Sequence, residues 1–273
     1  MNRRVVLWIS IAVLCIYIGI ALAAPLIAPS GPTAITGKPL EPPGAGHLFG
    51  TNDVGQDIFA QLVFGARITL LFGFFSASLS VLISTSVGIA IGYYGGIVDE
   101  VVSRAIDVFM PIPVFPLLIV LTTFFSPGII QISILMGVLG SIHGIRIIRS
   151  QVLSVAQTYF VEGARAIGAS DVHIMSRHIL PNVMPLVMAK FVSSSQHLLV
   201  MGVGLSFIGI WDTTTVDWGT MIQNAYSSGG MALGLWWWIL PPGIAVVGIS
   251  LALAMIGYSF EEQFNPRVGV NRL

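Results

Sequence analysis

Charged side chains are scarce in this chain. Asp, Glu, Lys and Arg make up 9% of its 273 residues, whereas hydrophobic residues make up 55%. A soluble domain of this length needs more charge on its surface, so the composition predicts a protein that lies in a lipid bilayer. The formal net charge is zero, which argues against nucleic acid as a partner because such binding requires a basic face.

Cysteine and lysine are also rare. The only cysteine is Cys15, which excludes an intrachain disulfide and a metal cluster built from cysteines. The only lysines are Lys38 and Lys190, and the phosphate-binding loop of an ATPase would need one of them. The segment Gly31–Pro39 is near that pattern, but its glycines are one residue too far apart and proline stands where Ser or Thr is required. Any ATP hydrolysis must therefore take place on another subunit.

Groups suited to catalysis, metal binding or ion coupling are few. Among the five histidines only His173 and His178 come near a metal-binding spacing, and five residues place them on different faces of an α-helix. Ser206 lies between glycines that are one residue too far apart for the nucleophile elbow of hydrolases. Asp107 and Lys190 lie near the ends of apolar runs, whereas an ion-coupled carrier keeps an ionisable residue at mid-membrane. We expect no enzymatic chemistry, no metal and no cofactor on this chain.

Long apolar runs are what the sequence does contain. Six of them can cross about 30 Å of hydrocarbon, which takes roughly 20 residues each: Leu7–Ile27, Ile68–Ile91, Val101–Phe125, Ile129–Ile148, Leu186–Ile210 and Leu235–Tyr258. They predict an all-α membrane protein with six transmembrane helices. The first run follows two arginines and resembles a signal peptide, but its apolar core is longer than usual for one, so we expect it to be retained.

The basic residues predict the orientation of these spans. With the N-terminus in the cytoplasm, only Lys38 and Arg67 of the twelve lysines and arginines lie outside. The other ten lie inside or at the inner boundary, as the positive-inside rule requires. The sequence therefore predicts a multi-pass protein of the cytoplasmic membrane with both termini in the cytoplasm. The long polar interruption Arg149–Pro185 is then cytoplasmic as well.

Two further polar segments are predicted to face outward. The first, Ala28–Ala66, is rich in proline and glycine and is not expected to form a regular helix. The second, Trp211–Gly234, leads into the tryptophans of 236–238, which are typical of an aromatic belt at the membrane surface.

The third span contains three prolines, Pro111, Pro113 and Pro116. Proline interrupts helical hydrogen bonds, so this helix must bend or break near its middle. In lipid such a break survives only where neighbouring helices or a water-filled cavity satisfy the freed carbonyls. The three prolines are therefore candidates for lining a transport pathway, and a simple packing kink is the alternative.

The polar interruption predicts two short amphipathic helices. Thr158 is expected to cap a helix that starts at Tyr159, carries Glu162 in its first turn and ends at Gly168. Its predicted apolar stripe consists of Phe160, Ala164 and Ile167. Ser170 and Asp171 begin the second helix, which is expected to stop at Pro181 and to carry a stripe of Val172, Met175 and Ile179. These stripes indicate either docking into a groove of another protein or packing of a helical hairpin on the chain's own inner ends.

The residues of this segment resemble a known loop. Glu162-Gly163-Ala164, Gly168 and Leu180-Pro181 have the spacing of the EAA loop of ATP-binding-cassette importer permeases, with Gly163 and His178 as departures. Further motifs resemble those of the dipeptide, oligopeptide and nickel subfamily, and in particular its second, C-type permease: His47 to Asp57, Gly65 to Leu70, Gly92-Tyr93-Tyr94-Gly95-Gly96, Leu205-Ser206-Phe207-Ile208-Gly209, Asp217-Trp218-Gly219-x-Met221 and Asn265-Pro266-Arg267.

This resemblance implies an architecture. The fold would be that of a type I (MetI-like) importer permease with one extra N-terminal span. The implied divisions are a transmembrane helix at 1–28, an extracytoplasmic loop at 29–66, a five-helix core at 67–260 that contains a coupling loop at 150–185, and a cytoplasmic tail at 261–273.

The resemblance also implies partners and site residues. The partners would be a homologous second permease, two cytoplasmic ATPase subunits that bind ATP and Mg, and an extracytoplasmic solute-binding protein. The implied cargo is a di- or oligopeptide, with nickel, a metal chelate or an oligosaccharide as alternatives, and a stand-alone ion-coupled secondary transporter is the alternative of another class. The residues expected to couple the chain to the ATPase are Tyr159, Phe160, Glu162, Gly163, Ala164, Arg165, Gly168, Asp171, His178, Leu180 and Pro181.

Overall fold

The computed structural model describes residues 3–125, 128–210 and 215–264. The motif Asn265-Pro266-Arg267 and most of the predicted tail lie outside the described residues, as do the first residues of the segment that begins at Trp211. The helices are α1 (Arg3–Leu22), α2 (Ala24–Ile27), α3 (Ile58–Tyr94), α4 (Gly96–Phe109), α5 (Val114–Phe125), α6 (Ile129–Ala156), α7 (Tyr159–Ala166), α8 (Asp171–Ile174), α9 (Leu180–Phe207), α10 (Trp218–Ser227) and α11 (Trp236–Phe264), and a π-turn (Met175–Ile179) joins α8 to α9. Apart from two isolated bridges before α3, the described residues contain no β-structure.

Five helices of the described chain are long and apolar enough to cross a membrane, and α4 with α5 makes a sixth if the bent pair counts as one span. The two halves of that pair meet at 81°. Pro111 and Pro113 lie in the break, and Pro116 lies in the first turn of α5, where a helix tolerates proline. The predicted all-α membrane fold and the predicted break in the third span are thus confirmed.

Helix α3 begins earlier than the composition suggested. It starts at Ile58, so the last nine residues of the stretch predicted to be irregular are helical. The prolines of that stretch end at Pro43, and Asp57 provides a cap because its Oδ1 accepts the Ala60 N–H at 2.9 Å. Ile58 and Ala66 are buried, so this added part of the helix packs against the protein.

The described chain divides into two compact units. The first is drawn from Met1–Phe74, Ile119–Ile132 and Gln196–Ile256, and the second from Phe75–Leu118, Ser133–Ser195 and Gly257–Leu273. The second unit contains the break between α4 and α5 and the whole of the polar interruption.

Small residues bring α3 and α6 close together in the second unit. A Cβ on Gly88 would lie 2.9 Å from Ile148, and one on Gly92 would lie 2.8 Å from Val152. Ser84 on α3 donates a hydrogen bond to the Ser141 carbonyl at 3.0 Å. Glycines four residues apart and hydroxyl groups at a contact are the usual means by which membrane helices approach each other closely.

A buried polar cluster organises the first unit around Asp217 and Trp218. The Asp217 carboxylate accepts hydrogen bonds from the Ser206 hydroxyl at 2.6 Å and from the Gly219 N–H at 2.7 Å. The Trp218 indole donates to the Leu62 carbonyl at 2.9 Å. Burial raises the pKa of the Asp217 carboxyl, and the hydrogen bonds that this carboxylate accepts oppose the rise. Two of the motifs that resemble the permease family therefore meet in the interior.

The tryptophans at the start of α11 do not form the predicted belt together. Trp236 is largely exposed, but Trp238 is fully buried by the protein. Side chains of consecutive residues of an α-helix point about 100° apart, so three adjacent tryptophans cannot all point away from the protein. The prediction was wrong for Trp238.

Candidate functional site

The first helix of the polar interruption, α7, starts and ends where the sequence predicted. It begins at Tyr159, although Thr158 does not cap it through its side chain, because that hydroxyl bonds the Val155 carbonyl instead. It ends in a Schellman motif. Gly168 has φ +85°, its N–H donates to the Arg165 carbonyl, and the Ala169 N–H donates to the Ala164 carbonyl. A left-handed residue is required here, which accounts for the glycine.

One face of the loop packs on the protein itself. Val161 and Ala164 of α7 are buried together with Ile174 and Ile179, in an apolar cluster that also contains Ile148, Val152, Val155 and Val183. The predicted stripes were wrong in this respect, because Phe160, Ile167 and Val172 are not members of the buried face. Moving the stripe by one residue turns the buried side by about 100°, which a helix of two turns does not reveal from spacing alone. Ala164 is accordingly a core residue in this structure.

A second face of the same loop is apolar and exposed. Tyr159 is 93% exposed, Ile167 87%, Val172 69% and Phe160 45%. We call these four residues the exposed apolar face. Large apolar side chains that are exposed to this degree are typical of interaction surfaces. Packing on the chain's own residues, one of the two alternatives left open by the sequence, holds for the buried face. Docking onto another protein stays a prediction for the exposed apolar face.

Polar contacts tie α7 and α8 to the end of α3. The Tyr93 hydroxyl donates to Asp171 Oδ1 at 2.6 Å, and the Arg165 guanidinium lies 5.4 Å from the centroid of the Tyr93 ring. Glu162 is exposed and, among the described residues, its side chain makes no hydrogen bond or ion pair. Asp171 and Arg165 are therefore engaged within the chain, whereas the Glu162 carboxylate faces outward.

The second helix of the loop does not stop at Pro181. A single helix runs from Asp171 to Phe207, so the prediction was wrong. In the π-turn the Leu180 N–H donates a hydrogen bond to the Met175 carbonyl, five residues back. Pro181 then lies in the first turn of α9, where its missing N–H is tolerated. The Asn182 side chain also donates to the His178 carbonyl at 2.6 Å.

The same π-turn brings two histidines together. The centroids of the His173 and His178 rings are 5.8 Å apart, and the His178 ring lies 6.3 Å from that of Phe160. The sequence had placed the two histidines on different faces, which holds for an α-helix but not for a helix widened by one residue. Within the described residues, no group of three or more His, Cys, Asp or Glu side chains could hold a metal ion.

The remaining predicted site residues lie in different surroundings, some exposed and some packed. Gly163 is exposed, and a Cβ there would meet nothing within 4 Å. Pro181 is exposed, whereas Leu180 packs beside the buried apolar cluster. The prolines of the third span are exposed at the break between α4 and α5 and are not part of the loop.

Sequence reasoning missed Tyr93 as part of this site. Its only signal was the Gly92-Tyr93-Tyr94-Gly95-Gly96 motif, which carries no indication of a contact with residues more than seventy positions away. Val161 and Ile174 were missed because single apolar residues beside a predicted stripe do not stand out.

Comparison with known proteins gives relatives that are similar over most of the chain. A Brucella suis protein named as a peptide transport system permease is 30% identical over 270 residues, which cover 98% of this chain and 90% of the relative. The dipeptide transport system permease protein DppC of Alkalihalophilus pseudofirmus is 28% identical over 263 residues, 95% of this chain and 85% of that protein. DppC of Haemophilus influenzae is 29% identical over 258 residues, 91% of this chain and 86% of that protein.

The family model described as binding-protein-dependent transport system inner membrane component matches residues 84–270. The match includes the whole polar interruption and covers well over half of the chain. Components of this kind carry out transport with a substrate-binding protein and ATPase subunits as partners and are not enzymes themselves. The chain therefore belongs to the inner-membrane components of binding-protein-dependent transport systems, as a multi-pass permease subunit of an ATP-binding-cassette importer.

Proposed function

We propose that the loop formed by α7, α8 and the π-turn docks this permease onto a cytoplasmic ATPase subunit. The observation that carries the proposal is the exposed apolar face, which lies on a loop already anchored by a separate buried face. An anchored helix with a second apolar side suits a groove on a partner. Gly163 supports this geometry because no described residue fills the space beside it.

The pathway itself is proposed to lie between this chain and a homologous second permease. The second unit offers a largely apolar groove of about 540 Å³ on α3 and α9 that could receive such a partner, lined by Ser78, Val81, Leu82, Thr85, Ser86, Ile89, Leu180, Met184, Val187, Met188 and Phe191. Thr85 has a buried hydroxyl with no hydrogen-bond partner among the described residues. A partner that supplies an acceptor there would satisfy the Thr85 hydroxyl.

A di- or oligopeptide is the proposed cargo. The relatives named as dipeptide or peptide permeases support a peptide. The spans described here hold no cluster of carboxylates or histidines suited to a bare metal ion, which favours an organic solute over nickel. The positive-inside pattern supports N- and C-termini in the cytoplasm and the loop on the ATPase side.

Transport then follows from movement and not from chemistry on this chain. Closure of the ATPase dimer on ATP displaces the docked loop, and the permease pair opens toward the binding protein to receive solute. Hydrolysis resets the pair. Such a cycle is a rigid-body transition driven by differential contacts in two states. The prolines at the break between α4 and α5 stay candidates for lining the pathway.

The experiment is a test of assembly. Ile167→Asp places a charge on the exposed apolar face, and we expect the amount of ATPase that co-purifies with the tagged permease pair to fall about tenfold or more. Asn224→Asp, at an exposed position on α10 and outside the loop, is the matched control and should leave assembly unchanged. Equal recovery of ATPase with both variants would refute docking through this face.

A further inference from the structure

Tyr93 is placed where three helices of the second unit meet. It lies in the last turn of α3, its hydroxyl bonds Asp171 at the start of α8, and its ring lies beneath Arg165 in the last turn of α7. The hydrogen bond of 2.6 Å to a carboxylate is short and charge-assisted. One side chain thus holds both short helices of the loop to the end of a membrane-spanning helix.

The backbone around Tyr93 is packed so that this contact can carry displacement. Gly92 lies directly against Val152 of α6, and Gly88 lies against Ile148 one turn earlier. The chain passes from the end of α6 into α7 through two residues only. The end of α3, the end of α6 and the loop are therefore held as one packed group, in which a shift of the loop cannot leave α3 in place without breaking the Tyr93 contacts.

The chain turns a corner immediately after Tyr93. Gly95 and Gly96 both have positive φ values, +62° and +58°, and α4 begins at this corner. Helix α4 is tied back to α6 by two ion pairs, Asp99 with Arg149 and Asp107 with Arg146. Displacement of α3 at Tyr93 therefore reaches a corner whose backbone conformation is rarely adopted by residues other than glycine. The broken third span follows this corner.

We propose that Tyr93 is a coupling residue that transmits movement of the docked loop to α3, and that its hydroxyl does so by holding Asp171. This proposal rests on the proposed docking of the loop to an ATPase. Tyr93 acts through Asp171 and Arg165 and is not itself part of the exposed apolar face. Its loss should separate ATP hydrolysis from transport without separating the subunits.

The test uses Tyr93→Phe in the full complex, reconstituted in liposomes with its binding protein. This variant keeps the ring beside Arg165 and removes only the hydroxyl. We expect assembly and ATP turnover to persist while the amount of solute transported per ATP falls about tenfold, the effect of losing one charge-assisted hydrogen bond from a moving contact. Tyr94→Phe is the matched control, since Tyr94 is the exposed neighbour in the same turn, and it should behave as the unaltered protein.

Two variants of the acceptor distinguish coupling from folding. Asp171→Asn retains an oxygen that can accept the Tyr93 hydroxyl and should retain most of the transport per ATP. Asp171→Ala should match Tyr93→Phe, and the double variant should lose no more than either alone. Unchanged transport per ATP in Tyr93→Phe would overturn the proposal, as would a loss of assembly that accounts for all of the lost transport. Failure of docking itself would be seen separately, in the recovery of ATPase with Ile167→Asp.

Discussion

Two regions of this permease that carry motifs resembling those of its family use their side chains in opposite ways. In the first unit the motif residues Ser206, Asp217 and Trp218 are buried and bond one another or the backbone. In the second unit the loop presents Tyr159 and Ile167 almost fully exposed. Motif resemblance therefore coincides with a buried scaffold in one region and with an exposed surface in the other. Burial distinguishes the two where sequence does not.

The largest expected effect comes from breaking the scaffold. Asp217→Ala removes the acceptor for the Ser206 hydroxyl and the Gly219 and Thr220 N–H groups, which leaves several buried donors unpaired at a cost of about 3 kcal/mol or more. We expect a lower midpoint of thermal unfolding in detergent and less protein in the membrane. Asp53→Ala is the control, because Asp53 is exposed and its carboxylate accepts from Ser228 at the surface. Similar thermal midpoints for the two variants would contradict the comparison.

A smaller effect on stability, with a large effect on transport, is expected at the end of α7. Gly168→Val forces a β-branched residue into a left-handed conformation at a cost of about 1–2 kcal/mol and disturbs the Schellman motif. The chain should remain in the membrane while ATP-driven uptake is abolished, because the exposed apolar face depends on this turn. Uptake in proteoliposomes and the amount of membrane-inserted protein are the two measurements. Unchanged uptake would count heavily against the docking role.

The smallest expected effect on the chain alone is at Gly163. Gly163→Ala places a methyl group in open space within a helix, where alanine is favoured over glycine by about 0.5–1 kcal/mol. Thermal stability of the isolated permease should therefore stay equal or rise slightly. If a partner approaches this backbone closely, the affinity for the ATPase should fall in the same variant, and titration of the purified ATPase measures it. A gain in stability together with undiminished affinity would place Gly163 outside the contact.

Much of the fold could be predicted from sequence because a bilayer leaves few choices. Apolar runs of about 20 residues must be helices, and the prolines of the third span had to break one. Boundaries were less certain, since Asp57 starts α3 through a local cap that composition does not reveal. The π-turn was beyond prediction, because nothing in Met175–Ile179 distinguishes it from an ordinary helical turn.

The first short helix of the candidate loop was predicted in position but not in orientation. The Glu162 segment, the glycine at Gly168 and the start at Tyr159 all follow from local rules that act within a few residues. Which side of α7 is buried depends on Ile148 and Val152 in another helix, and the hydrogen bond of Tyr93 is made with Asp171, 78 residues away. Contacts between distant segments of this kind require the folded chain.

The π-turn before α9 has a geometric consequence for the loop. A turn of this kind contains one residue more than the α-helix it interrupts, so it changes the angular phase of everything that follows by about 100°. The side of α8 that faces the protein therefore differs in direction from the side that α9 would present without the π-turn, although the two form one continuous helix. Shortening Met175–Ile179 by a single residue would rotate the loop about the axis of α9, and the exposed apolar face would turn away from its present direction while every side chain that forms it was still there.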